Sequence, residues 1–184
     1  MKKLLALLSL TALATAVYAA PQATVVLNNF TPDRPIYIGS EGVYADNDAS
    51  GNIYIELLGP GGKPVVSQDL GNATMFQLEF GGYFDDGVGV IADVVPGAVA
   101  ELTLRVWKAA AGSTYDAAFG SAPTALVTWS QATGSWDPAS VPPGPAVGPD
   151  LAIPASPVMA VVPEPSTLAL GALGLVALFL RRRQ

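Results

Sequence analysis

Apolar and polar positions alternate most cleanly in "AELTLRVWK", where Leu102, Leu104 and Val106 fall on one face and Glu101, Thr103, Arg105 and Trp107 on the other. A period of two marks a half-buried strand, so this segment is expected to pair antiparallel with one face on a core. "ATVVLNNF" and "NIYIELLG" are rich in β-branched and aromatic residues, and each stops at a turn signal, "TPDRP" or "GPGGKP". Shorter strand candidates are Pro35 to Ile38, Val43 to Ala45, Val65 to Asp69, Met75 to Phe80, Val88 to Ile91 and Leu126 to Ser130. Their close spacing predicts an all-β fold, a single antiparallel β-sandwich of Ig-like or jelly-roll-like kind. The helical signal in this body is "STYDAAFG", where Ser113 is placed to cap a single turn.

The pattern changes at both ends. Lys2 and Lys3 precede an apolar stretch, Leu4 to Val17, that closes on small residues. This is the layout of a secretory signal helix over residues 1–19, with Val17 and Ala19 at the spacing a signal peptidase prefers. Cleavage between Ala19 and Ala20 leaves Ala20 as the first mature residue. From Asp137 to Pro165 nine of the sixteen prolines crowd into one stretch, which predicts a stiff stalk over 137–162 following a body of 20–136. Val158 to Val162 is the one strand-like piece in it, with packing back on the edge of the body as the alternative. A second apolar run, Leu168 to Leu180, is followed by Arg181, Arg182 and Arg183.

Charge narrows the function classes. From Ala20 to Pro163, between the two ends, lie only four basic residues, Arg34, Lys63, Arg105 and Lys108, against fourteen acids, a formal charge of 4 − 14 = −10. Such a surface repels phosphate backbones, so nucleic acid is not expected as a partner. The 184 residues contain no cysteine and no histidine, which removes disulfides, catalytic triads and dyads, and the common zinc sites. Acid pairs suited to glycoside hydrolysis, Asp85 with Asp86 or Glu79 with Glu101, are the remaining catalytic option. Adjacent acids in "YFDDG" read more simply as a solvated turn, and the body leaves little room for a cleft. No enzyme activity is expected.

Two binding sites remain open. In "ADNDASGN", Asp46, Asp48, Ser50 and Asn52 match the first half of a calcium loop, with Gly51 for the sharp turn. The bidentate acid belongs at Leu57, however, and Glu56 is one residue early, so the alternative is a plain hairpin between Val43 to Ala45 and Asn52 to Leu58. Aromatic side chains offer the second possibility, with Trp107 and Trp129 as rings for stacking on sugars, or as core and cross-strand partners.

The C-terminal run spans about 20 Å as a helix, short of the roughly 30 Å hydrocarbon core. Its order is "VPEPST", then the apolar run, then three arginines. This arrangement resembles the PEP-CTERM sorting signal of Gram-negative bacteria, with Pro163, Glu164 and Pro165 as the motif, a transmembrane helix over 168–180, and Arg181, Arg182 and Arg183 as the basic stop. The resemblance implies that exosortase recognises residues 163–184 after a transient stay in the inner membrane. It places the body at the cell surface or outside the cell.

The body is also similar to a group of exported PEP-CTERM proteins. Gly59 and Pro60 end a strand, Val95, Pro96 and Gly97 turn before Arg105, Val106 and Trp107, and Thr114 to Ala118 follow. No activity comes with that resemblance. The expected role is a non-catalytic surface or extracellular-matrix component, with a carbohydrate-binding module contacting exopolysaccharide as the alternative. No cofactor is expected beyond the calcium considered above.

Overall fold

A computed structural model describes residues 21–46, 52–71, 73–138 and 147–161. Strands dominate. In chain order they are β1 (Gln22–Asn28), β2 (Tyr37–Ile38), β3 (Ile53–Leu58), β4 (Val66–Ser67), β5 (Phe76–Gln77), β6 (Asp85–Ile91), β7 (Val99–Lys108), β8 (Thr124–Ala132), β9 (Gly134–Trp136) and β10 (Val158–Met159), with one short helix, α1 (Tyr115–Ala118), between β7 and β8. One antiparallel sheet has the order β4-β6-β1-β9, a second the order β5-β3-β7-β8, and β10 pairs with β2 in parallel.

The alternation in the sequence decides which faces meet. Leu102, Leu104 and Val106 of β7 are fully buried, beside Ile53, Ile55 and Leu57 of β3 in register Leu57 to Leu104 and Ile55 to Val106. Ala23, Val25 and Leu27 of β1 join them in one continuous cluster, so both four-stranded sheets fill the same core. Removal of this apolar surface from water is the main favourable term in a chain without disulfides.

The opposite face of β7 is covered as well. Between β7 and β8 the chain folds over it, and Trp107, Tyr115 and Ala118 form a second buried cluster with Tyr54 and Ala111 packed against it. Arg105 lies 5.2 Å from the centroid of the Tyr115 ring and 3.6 Å from the Glu56 carboxylate across the strand pair. The helix is capped by Thr114, whose hydroxyl accepts from the Ala117 amide at 3.3 Å, one residue later than the Ser113 expected from sequence.

Other expectations need correction. Tyr44 bridges Tyr37, and the Ile38 amide donates to the Val43 carbonyl, so Val43 to Ala45 turn back on β2 through Gly39 and Gly42 instead of forming a strand with β3. Asp85 and Asp86 open β6 rather than forming a turn. The largest difference concerns the proline-rich segment. Leu151, Ile153 and Met159 are buried in the main core, so residues 147–161 belong to the body and do not stand off as a stalk. Where this segment crosses β1, Gly148 lies so close that a Cβ would come within 2.8 Å of Val25 Cα. Among the described residues no helix is long and apolar enough to cross a membrane. The expected signal helix (1–19) and C-terminal membrane helix (168–180) lie outside those residues.

Candidate functional site

The C-terminal segment closes a seam. Pro149 accepts from the Val26 amide at 2.9 Å, continuing the edge of β1 beyond its pairing with β9. Gln131 of β8 then grips the chain from the other sheet: its Oε1 accepts from the Ala152 amide at 2.7 Å, and its Nε2 donates to Asp150 O at 3.2 Å. Farther on, Pro157 O accepts from the Tyr37 amide and Met159 O from the Gly39 amide, while Ala160 and Thr124 exchange both backbone hydrogen bonds at 3.0 Å. The seam is therefore tied to β1, β2 and β8, and among the described residues its last doubly bonded one is Ala160.

A cluster of aromatic rings occupies the surface beside β2. Phe30 stacks on Tyr83 with centroids 4.4 Å apart and 14° between planes, and Phe80 leans on Phe30 at 5.5 Å. Tyr37 and Tyr44 meet at 5.5 Å. The Tyr83 hydroxyl donates to Asp33 at 2.8 Å, and this bond to a carboxylate, followed by lesser desolvation and charge effects, pushes the phenol up to about 12. Asp46 accepts from the Gly81 amide at 2.5 Å, fixing the turn that carries Phe80. Phe80, Tyr44 and Phe30 remain 60 %, 50 % and 41 % exposed.

A second unusual environment surrounds Asp86. Partial burial, then the neighbouring Glu79 and Asp85 carboxylates, push its carboxyl up to about 7, and its Oδ2 has no hydrogen-bond partner. Asp85 is exposed.

Residues 161–183 match the PEP-CTERM protein-sorting motif. The chain carries an exosortase sorting signal. It is thus an exported protein, sorted by exosortase through a transient membrane stage. No curated protein and no solved structure matches it. The PEP-CTERM match begins one residue after Ala160, so the signal follows directly on the closed seam. Seven residues, 161–167, separate Ala160 from the apolar run, a reach of about 25 Å at most when fully extended. Pro163, Glu164, Pro165, Arg181, Arg182 and Arg183 lie within the matched range. They are outside the described residues, as are Ala19 and Ala20.

Other residues singled out from the sequence sit in different surroundings from those a ligand site needs. Trp107 is 1 % exposed, with its Nε1 donating to Gly112 O at 3.1 Å, and Trp129 is 8 % exposed, with its Nε1 donating to Gln131 at 2.7 Å. Neither ring has a free face for a sugar. Of the calcium candidates, Asp46 serves the Gly81 turn and Asn52 donates to Gln77 at 3.1 Å, while Asp48 and Ser50 lie outside the described residues. The described residues contain no cluster of three or more acids placed to hold a metal ion. Sequence reasoning missed the Phe30, Phe80 and Tyr83 grouping because Phe30 lies in the turn after β1 while Phe80 and Tyr83 flank the Gly81–Gly82 turn before β6, and only the pairing of β1 with β6 brings the two turns together.

Proposed function

We propose that this protein is a non-catalytic structural component of the cell surface or extracellular matrix of a Gram-negative bacterium, built on a single β-sandwich and delivered by exosortase. The observation that carries this reading is the sorting signal beginning immediately after a body closed by its own C-terminal segment. The arrangement suits a preassembled module that is parked at the membrane and then handed over whole. Further support comes from composition: without histidine or cysteine the usual nucleophile and general-base pairs are missing, and the charge of −10 between the ends favours solubility outside the cell. Signal peptidase acting between Ala19 and Ala20 belongs to the same proposal.

Fractionation tests it. In a host with exosortase, the body is expected in the surface and extracellular fractions, and its gene deletion is expected to weaken matrix cohesion. In the isogenic host lacking exosortase it is expected in the inner membrane. Equal distribution in the two hosts defeats the proposal.

A further inference from the structure

The aromatic cluster beside β2 combines three properties that a buried core does not. Its rings are exposed, held in place, and bordered by carboxylates: Phe80 and Tyr44 are at least half exposed, Phe30 is fixed by stacking on Tyr83, and Asp33 and Asp46 stand at the rim. Exposed ring faces carry the negative part of the aromatic quadrupole, which attracts polarised C–H groups and cations. Preorganisation matters too, since rings already stacked lose little freedom on binding.

We infer that this face binds a polysaccharide bearing free amino sugars, stacking the pyranose C–H faces on Phe80, Phe30 and Tyr44 and placing ammonium groups beside Asp33 and Asp46. Charge complementarity selects this occupant. The local cation, Arg34, is engaged with the carbonyls of Asp33 and Ile153, and the segment between the two ends carries −10 overall. Phosphate, sulfate and uronate polymers are repelled, and so are anionic lipid headgroups. The inference goes beyond the role proposed above and does not depend on it, because sugar binding is read on the purified chain whatever its address in the cell.

The test is calorimetry on the full chain in a sugar-free polyoxyethylene detergent, titrated with glucosamine hexamer, N-acetylglucosamine hexamer, guluronate hexamer and phosphatidylglycerol vesicles. Glucosamine hexamer is expected to bind more tightly than the other three. Phe80→Ala is expected to weaken that binding about tenfold, and Phe80→Trp to restore it. Asp33→Asn is expected to weaken it and to reduce its salt dependence. Circular dichroism of each variant should match the parent, since these side chains are outside the core. Three results overturn the inference: no binding of glucosamine hexamer, binding unaffected by Phe80→Ala, which marks mere attraction of a polycation to an acidic surface, or tighter binding of the guluronate hexamer or the vesicles.

Discussion

Asp86 shows how far one side chain can depart from what its neighbours in sequence suggest. Next to Asp85 and before Gly87 it reads as part of a solvated turn, yet as the second residue of β6 it is half-buried, and its carboxyl is held up at about 7. A carboxyl whose folded pKa lies above its ordinary value makes the folded state bind more protons than the unfolded one between those two pH values. Stability contributed by this group therefore falls as pH rises from about 4 to about 7, and levels off above. The measurement is the melting temperature of parent and Asp86→Asn across that range: the variant is expected to lose part of the slope and to be the more stable of the two at pH 8. An identical slope in both would place the titration elsewhere. Trp107 is the second such residue. The alternation of β7 correctly put it opposite Leu104, but strand period alone does not reveal that the chain after β7 returns to cover that face. Trp107→Ala is expected to cost about 3–5 kcal/mol, read by denaturant unfolding, as a large buried ring is replaced by a void.

Among the elements, the C-terminal seam was the least legible in sequence, and the reason is physical. Proline lacks an N–H, so a stretch dense in it looks unable to join a sheet. Pairing of 147–161 instead uses what proline retains: Pro149 and Pro157 accept through their carbonyls from Val26 and Tyr37, and the apolar residues between prolines, Leu151 and Ile153, turn into the core. By contrast β1, β3 and β7 were readable, because long runs of alternating or β-branched residues fix both the element and its buried face. β4 and β5 fall inside the expected strands Val65 to Asp69 and Met75 to Phe80 but are shorter than those patterns suggest, β9 carries too short a pattern to be seen, and Val43 to Ala45 found their partner through a turn at Gly39 and Gly42. The seam yields two expectations. Leu151→Ala should destabilise the body by about 2–5 kcal/mol in urea unfolding, whereas a free stalk would show no change. Gly148→Ala should also destabilise, since its Cβ has no room against β1, and the amides of Val26 and Tyr37 should then lose protection in hydrogen exchange.

On the scale of the whole molecule, the closed body and the sorting signal meet at residue 161, and this sets what processing can change. Among the described residues every member of the main core lies at or before Met159, so the core seen there is built without the tail. In the sequence the apolar run after the motif is thirteen residues, shorter than the roughly twenty that a full span needs, and it follows Pro163 and Pro165. Glu164 is the charge between them, and recognition of it by the processing enzyme is an expectation to be tested. Intact-mass measurement in a host carrying exosortase is expected to show loss of Leu168 to Gln184, and Glu164→Ala or deletion of Arg181 to Arg183 to leave the tail attached. The processed and unprocessed forms are expected to melt within a degree or two of each other, since the core formed by the described residues draws on none after Met159. A wild-type chain that keeps its arginines in that host would mean the run is a permanent anchor, and a processed form that melts well below the unprocessed one would mean the tail contributes to the fold.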